Sequence, residues 1–344
     1  MNFYRITFPK EPDGKRHTFL GKSMTISHKP GEGFIFAPFL DASRIVRIPA
    51  TGEIPEDSEM TAWAIENDHL AGIPGLKSVD AEQHLTLISD AVKFVKEMEQ
   101  HTGQPSKVVA ARISVAETGK SPAELHAALA EAYPKACVFL FSTSVSGTWI
   151  GASPELLFSL TRSDGTLRSM ALAGTRPAGS EGNWDDKNVA EQRMVTDFIT
   201  GTLKQCGLNP TVSTPYTRRA GRIEHICTDI ISRNPLSVGN DPGNEAARIA
   251  ASLSPTPALC GTPREEACRF IKSHEGFSRD FYGGYVGFVS RDEARLYVNL
   301  RSGRMLCGMG KIILYAGGGI TRDSNPKDEW VETERKLATM LTIL

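Results

Sequence analysis

Strand-like segments occur in groups along this 344-residue sequence and do not alternate one by one with helices. Strict alternation of strand and helix would favour a parallel sheet, whereas consecutive strands with helices between and after the groups favour extended sheets covered by helices. The order of the segments therefore predicts an α/β fold of the α+β type and disfavours a regular β-α-β repeat.

Strands and helices are predicted from the spacing of apolar residues along the chain. The predicted strands cover residues 18–20, 33–39, 107–115, 136–143, 149–160, 167–173, 281–289, 294–301 and 311–316. The predicted helices cover residues 80–100, 121–132, 187–206, 244–253, 264–274 and 328–341. The second helix has the clearest start, because Ser121 and Glu124 form a capping box with Pro122 at the first helical position.

The composition is that of an ordinary globular protein. There are 39 Lys and Arg residues against 40 Asp and Glu residues, and the net charge of -1 gives no general attraction to nucleic acid or anionic lipid. No apolar run approaches the roughly 18 to 20 residues of a membrane-spanning helix. The six cysteines form no CxxC pair, and the N-terminus has no apolar run of signal-peptide length. We expect a cytoplasmic protein with reduced thiols, with no nucleic-acid or membrane partner, as a monomer or a weak dimer.

The most informative segment is the glycine run at residues 317–319, which directly follows a predicted strand. Glycines in such a place let backbone N–H groups turn toward an anion, because no Cβ stands in the way. The following helix has Glu329 and Glu332 at i, i+3 on one face. Taken alone, the segment also fits a plain turn followed by a surface helix, in which Glu332 and Lys336 form an ordinary i, i+4 ion pair.

Common nucleotide and hydrolase motifs are missing from the sequence. The glycines at residues 283, 284 and 287 lack GxGxxG spacing and a following helix, so they do not predict a dinucleotide fold. There is no GxxxxGK[ST] phosphate loop and no GxSxG elbow, which disfavours nucleotide hydrolases and α/β-hydrolases. His225 alone would most often be a hydrogen-bonded structural histidine.

Eight motifs in sequence order resemble those of the chorismate-utilising enzymes, and most of all those of the isochorismate synthases. They are residues 107–112, 153–158, 171–177, 191–195, 253–263, 281–284, 300–302 and 316–319. The resemblance extends from about residue 80 to the end. It implies one domain over residues 1–344, with residues 1–79 as its variable N-terminal part. It also implies the family fold of two large, mostly antiparallel sheets packed together with helices outside, and an active site between the sheets.

The resemblance implies that the substrate is chorismate, which carries two carboxylates, and that Mg²⁺ is the cofactor. Glu191 and Glu332 match the glutamates that hold the metal, and Glu329 lies one turn away, close enough to bind it directly or through water. Two glutamates suffice, because Mg²⁺ completes its octahedron with water and substrate oxygens.

Further positions match the residues that bind the other carboxylate of chorismate. The resemblance assigns this role to Arg301 and Tyr282. An arginine offers a planar bidentate fork to a carboxylate, which a lysine does not. Additional anion donors are implied at Gly174, Thr175, Gly317, Gly318 and Gly319.

The resemblance also assigns the acid and the base. Lys107 stands where isochorismate and salicylate synthases have the lysine that deprotonates water, and where anthranilate synthases have glutamine. Glu155 matches the acid that protonates the departing C4 hydroxyl, a role that requires a carboxyl held neutral by apolar surroundings. His225 matches an active-site histidine that contacts the substrate or the leaving hydroxyl. The implied reaction is attack of water at C2 of chorismate with loss of the C4 hydroxyl, which gives isochorismate for menaquinone or siderophore biosynthesis.

Three alternatives stay open at this point. A salicylate synthase would use the same acid and base and then eliminate pyruvate, and an anthranilate synthase component would use ammonia. Ala173 stands where aminodeoxychorismate synthases have a nucleophilic lysine, and alanine cannot form that adduct. Gln192 and Ser254 replace histidines that are common in the family, so an impaired chorismate-binding relative is the third alternative.

Overall fold

A computed structural model describes residues 1–68, 76–220, 223–233 and 242–344. The strands in these ranges are β1 Asn2–Thr7, β2 Thr18–Ser23, β3 Gly33–Ala37, β4 Val46–Pro49, β5 Lys107–Glu117, β6 Cys137–Thr143, β7 Gly147–Ser153, β8 Leu156–Thr161, β9 Leu167–Pro177, β10 Pro210–Val212, β11 Tyr216–Ala220, β12 Ile223–Ser232, β13 Gly261–Thr262, β14 Tyr285–Val289, β15 Glu293–Val298, β16 Ser302–Leu306 and β17 Lys311–Ile320. The helices are α1 Asp57–Glu66, α2 Ala81–Thr102, α3 Pro122–Ala132, α4 Asp186–Gln205, α5 Pro242–Leu253, α6 Arg264–His274 and α7 Pro326–Leu341.

The strands form two large sheets in which the pairings among the described residues are antiparallel. The first sheet has the strand order β13, β5, β17, β16, β7, β6, β1, β2. The second has the order β10, β12, β9, β8, β15, β14, β3, β4, with β11 paired to β12. The expected fold class is therefore confirmed, with long antiparallel sheets and helices outside them.

The main core lies between the two sheets. Alternate side chains of β6 point in opposite directions, as the period of a strand requires. Phe139 and Phe141 face the second sheet, where Phe36 of β3 stacks on Phe141 with ring centroids 4.2 Å apart. Val138 and Leu140 face the other way and join a second apolar cluster that includes residues of α1, α3 and α7. The first sheet is thus buried on both faces, which explains why β6 reads as a continuous apolar run.

Helix ends agree with the capping signals in the sequence. The capping box of Ser121 and Glu124 is present at the start of α3. At α2, Asp80 caps the first turn and Gly103 ends the helix in the left-handed conformation, with φ at 66°. The helix α7 begins two residues earlier than the sequence predicts, because the Asn325 side chain accepts a hydrogen bond from the Lys327 N–H at 2.9 Å. None of the helices in the described ranges has both the length and the apolar character needed to cross a membrane.

The chain crosses from one sheet to the other at two places that the sequence reading missed. The strand predicted over residues 149–160 is two strands, β7 in the first sheet and β8 in the second. Pro154 lies between them and has no N–H to continue a ladder. The strand predicted over residues 294–301 ends at Val298, and the chain then returns to the first sheet as β16. Arg301, with φ at 49°, lies in this return.

Other predicted boundaries also need correction. The strand predicted over residues 281–289 begins only at Tyr285, because residues 281–284 form a turn with φ of Gly283 at 85°. The strand predicted to end at Ala316 continues to Ile320, and β9 likewise continues to Pro177. The sequence did not predict the helix α1 or the strands β1, β4, β10, β11, β12, β13 and β16.

Candidate active site

A pocket lies between the two sheets, next to the two links by which the chain passes from one sheet to the other. The first crossing contributes Pro154 and Glu155, and the second contributes Leu300 and Arg301. The remaining lining residues come from the second sheet, from the loop before β13, from the turn before β14, and from β17 and the two helices that pack near it: Leu172, Ala173, Gly174, Thr175, Glu191, His225, Ala258, Leu259, Tyr282, Tyr315, Ala316, Gly317, Gly319 and Lys336. The structure thus brings together most residues that the resemblance assigns to the site.

Lys107 does not line the pocket itself, but its side chain contacts Glu191, which does. Its side chain is fully buried at the start of β5, and Nζ donates a hydrogen bond to Glu191 Oε1 of α4 at 2.7 Å. An ideal Cβ on Gly319 would collide with that same Oε1 and would lie 2.8 Å from Lys107 Cε. The glycine at position 319 is therefore required for the close approach of lysine and glutamate.

Glu155 is a buried carboxyl whose pKa is strongly raised. Burial lifts the pKa from 4.5 to about 8, although the positive charges of Lys107, Arg301 and Lys336 oppose this shift. The carboxyl is therefore mostly protonated at pH 7 and is able to donate a proton. The backbone of Glu155 is held in place, because the Val298 N–H donates to its carbonyl at 3.0 Å across the two crossings.

His225 is held neutral by its surroundings. Burial, followed by the charge of Arg301, lowers its pKa to about 3. Nδ1 lies 2.7 Å from the Gly174 carbonyl, and Nε2 lies 3.1 Å from Nη2 of Arg301. A guanidinium can only donate, so Nε2 accepts and the proton resides on Nδ1, where it is donated to Gly174. His225 therefore orients Arg301 and has no proton of its own to offer to a ligand.

Two tyrosines form an aromatic wall of the pocket. Tyr282 stacks on Tyr315 of β17 with centroids 5.3 Å apart and an interplanar angle of 17°. Tyr315 in turn stacks on Trp149 at 5.4 Å. Such a flat, apolar wall suits the face of a six-membered ring. Tyr282 was assigned from the resemblance, whereas Tyr315 was not singled out in the sequence.

The glycine run at residues 317–319 lies inside the strand β17, near its C-terminal end, and does not form a turn. The N–H groups of Val109 and Ala111 donate away from β17, to Cys260 O at 2.8 Å and to Glu275 Oε1 at 2.7 Å. Hydrogen-bonded pairs alternate along an antiparallel ladder, so Gly318, opposite Ala110, pairs with β5. Gly317 and Gly319 direct their polar groups away from β5. The expectation that Gly318 donates to an anion is therefore wrong.

Three glutamates lie near the Cβ-free backbone of β17, and each is paired with a lysine. Besides the pair of Lys107 and Glu191, Lys336 Nζ donates to Glu332 Oε1 at 2.6 Å and Lys187 Nζ donates to Glu329 Oε1 at 2.6 Å. An ideal Cβ on Gly318 would lie 3.0 Å from Glu329 Oε2 and 3.8 Å from Glu332 Oε1. Substitution at this glycine would fill the space in front of the carboxylates.

The donor set fits a hard cation such as Mg²⁺. The oxygens are carboxylates, and Glu329 Oε2 is buried without a hydrogen-bond partner. Burial and the nearby charge of Glu332 raise the pKa of Glu329. Within the described ranges, no three His, Cys, Asp or Glu side chains come together closely enough to hold a metal by themselves. A cation here would therefore need water or substrate oxygens among its ligands.

Gln192, which stands where histidine is common in the family, has a structural role. Its side-chain Nε2 donates to Thr228 Oγ1 of β12 at 2.6 Å and to Thr196 Oγ1 at 2.9 Å. Gln192 thus ties α4 to the second sheet, one residue away from Glu191. Ser254 is buried, and its N–H donates to the Ala250 carbonyl at 2.8 Å. Neither residue lines the pocket.

Sequence reasoning missed Lys187 and Asn188 on α4, and it undervalued Lys336. The pair of Glu332 and Lys336 exists but is not a surface pair, because Lys336 Nζ also donates to the Gly317 carbonyl at 2.7 Å inside the pocket. Lys187 lies four residues before Glu191 and hence on the same helix face, a spacing that could have revealed it. Asn188 Oδ1 accepts from the Thr175 N–H at 3.0 Å, so this donor of Thr175 is occupied.

Comparison with known proteins agrees with this architecture. The family model described as chorismate binding enzyme matches residues 60–344. The chain belongs to the chorismate-binding enzyme family. The prediction from the eight motifs is thereby confirmed at the level of the family.

The relatives found include isochorismate synthases. Isochorismate synthase MenF of Escherichia coli is 32% identical over 217 residues, covering 60% of this chain and 48% of that protein. Isochorismate synthase MenF of Bacillus subtilis is 30% identical over 290 residues, covering 80% of this chain and 58% of that protein. The chain thus spans about half the length of these relatives. The solved structure of the menaquinone-specific isochorismate synthase MenF from Escherichia coli has a TM-score of 0.74 at 24% identity, covering 100% of this chain and 89% of that chain, and confirms the fold.

Proposed function

We propose that the chain is an isochorismate synthase that converts chorismate to isochorismate with Mg²⁺, for menaquinone or siderophore biosynthesis. The observation that carries this proposal is the buried Glu155 carboxyl, which is mostly protonated at pH 7 and lines the same pocket as Glu191, the partner of Lys107. A neutral acid and a lysine are what addition of water with loss of a hydroxyl requires. The names of the relatives support the same reaction.

The substrate would be held through its carboxylates and its ring. Arg301, aligned by His225, presents its guanidinium to one carboxylate, and the Tyr282 hydroxyl adds a second donor. The ring packs on the aromatic wall of Tyr282 and Tyr315. Burial raises the pKa of Tyr282, so its hydroxyl keeps its proton and remains a donor at neutral pH.

Proton transfers at the ring are assigned to two side chains. Lys107 takes a proton from the water that attacks C2, and Glu155 delivers a proton to the C4 hydroxyl as it leaves. In the structure Lys107 Nζ donates to Glu191. An ammonium has no lone pair, so Nζ must lose a proton and become the neutral amine before it can take one from the attacking water. Glu191 and Glu332 are the residues that would hold Mg²⁺, with Glu329 beside them. When bound, the ion supplies positive charge to neutralise the second carboxylate of the substrate.

The proposal is tested by incubating the purified protein with chorismate and Mg²⁺ near pH 7.5, with and without ammonium, and separating the products by chromatography. Isochorismate alone supports the proposal. Salicylate with pyruvate would identify a salicylate synthase, and an aromatic amine formed only with ammonium would identify an anthranilate synthase. Binding of chorismate without any product would identify an impaired relative.

A further inference from the structure

A second cavity, of about 240 Å³, opens beside the reaction pocket. We call it the basic vestibule, and its walls combine apolar surface with positive charge. Ala152 and Met340 are among the apolar residues, and the basic residues are Lys135 from the segment between α3 and β6, and Arg218 and Arg219 of β11. No Asp or Glu belongs to its lining, as far as the described residues show.

The vestibule adjoins the reaction pocket. Pro154 and Arg301 line both cavities, so the guanidinium assigned to the substrate carboxylate lies where they meet. A different surface groove, lined by Gln104, Lys187 and Met194 among others, shares no lining residue with the reaction pocket. Of these two cavities, the vestibule is therefore the one that lies against Arg301.

The positive charge of the vestibule is a local feature, because the whole chain has a net charge of -1. Lys135 is exposed and Arg218 is half-buried. Arg218 lies opposite His225 in the β11–β12 ladder, which places its side chain on the face of the sheet that carries the histidine. Arg219 lies opposite Glu224, which offsets part of its charge. Lys135 and Arg218 therefore contribute most to the local field.

We propose that the basic vestibule is the route by which a cyclic dicarboxylate enters and its product leaves, and that Lys135 and Arg218 attract the dianion toward Arg301. This inference rests on the proposed function for the identity of the ligand. Charge of one sign lining a cleft raises the local concentration of an oppositely charged ligand and its association rate. The effect decays with salt, since the Debye length falls from about 10 Å at 0.1 M to about 3 Å at 1 M.

The first test measures the association rate of chorismate by stopped-flow tryptophan fluorescence. Trp149, which stacks on the pocket residue Tyr315, is a suitable reporter. The measurements use a Glu155→Gln background, in which turnover does not interfere. Lys135→Gln combined with Arg218→Gln should slow association about 10-fold at low salt, with the difference disappearing toward 1 M salt. Arg218→Lys keeps the charge and should associate at nearly the unaltered rate.

Three further variants separate local attraction from a change in total charge and from obstruction of a cavity. Lys96→Gln removes an exposed charge from α2, away from the vestibule, and should leave the rate unchanged. Ala132→Trp, at the exposed mouth of the vestibule, should slow association by obstruction at every salt concentration. Gln104→Trp obstructs the other groove in the same way and should have no effect.

The outcomes distinguish the route from the reaction. If association is unaltered both in the Lys135 and Arg218 variant and in Ala132→Trp, the vestibule is not the entry route. This conclusion does not depend on which product the enzyme with Glu155 intact makes. Slowing by Gln104→Trp would identify the other groove as the route. A protein that binds chorismate through the vestibule but makes no isochorismate would contradict the proposed function alone. A protein that does not bind chorismate at all would contradict both.

Discussion

The raised pKa of Glu155 predicts a specific effect of Glu155→Gln on stability as well as on activity. The carboxyl titrates at 4.5 in the ordinary state and at about 8 in the folded protein, because it is buried. The folded protein therefore binds this proton more tightly than the unfolded chain. Its free energy of unfolding must fall as the pH rises from 4.5 toward 8. Glutamine has nearly the same shape as the protonated acid and does not titrate.

The size of the effect follows from the two pKa values. One pKa unit corresponds to about 1.4 kcal/mol, so the full cost of ionising Glu155 in the folded state is about 5 kcal/mol. Between pH 6 and pH 8, Glu155→Gln should gain about 2 kcal/mol of unfolding free energy relative to the unaltered protein. For a chain of this length, that gain is about 3 °C in melting temperature.

The measurement is the melting temperature of both proteins at several pH values from 6 to 8.5. The difference between them should increase with pH in favour of Glu155→Gln, while turnover of chorismate is lost. Glu117→Gln, which alters an exposed carboxylate, is the control and should show a constant offset. A constant offset for Glu155→Gln would refute the claim that this carboxyl is neutral in the folded protein, and with it the assignment of the acid.

Further predictions follow from the same contacts. The kcat of the unaltered enzyme should be steady up to about pH 8 and fall tenfold per pH unit above it, as the Glu155 acid ionises; a plateau to pH 10 would contradict this. Lys107→Gln should lower the rate of water addition at least about 100-fold with the fold intact by circular dichroism, and near-normal turnover would exclude Lys107 as the base. Gly319→Ala should abolish activity by displacing Glu191, whereas Gly201→Ala, which meets nothing within 4 Å, should not. Chelation of Mg²⁺ should silence the enzyme reversibly, and persistent turnover in excess chelator would reject the metal roles of Glu191 and Glu332.

Sequence patterns predicted the elements whose signals are local. The start of α3 is an example, because its capping box needs only four neighbouring residues. The strand predicted over residues 149–160 shows the limit of this reasoning. Apolar residues continue through Pro154 on both sides, since both strands are buried, and periodicity does not reveal that they belong to different sheets. The strand β16 was missed for a related reason, because it follows the second crossing after only a short link.

The site could be predicted only where motifs carry information from relatives. The resemblance identified Glu155, Glu191 and Arg301, which line one pocket in the structure. It also identified Lys107, which contacts Glu191 from behind that lining. It did not indicate that each glutamate is paired with a lysine, since the pair of Lys187 and Glu329 joins two helices far apart in sequence. The direction of the Gly318 N–H was also beyond sequence reasoning, because it depends on the phase of the β5–β17 ladder.

The two crossings have a consequence for how chemistry can vary on this fold. Glu155 and Arg301 lie at positions where the chain leaves one ladder before entering the next, and their backbones are joined through Val298 and Ala152. Their side chains can be exchanged without altering the pairing of β7 with β16 or of β8 with β15. Substitution at these two points would therefore change the chemistry of the pocket while the strand pairing of both sheets stays the same.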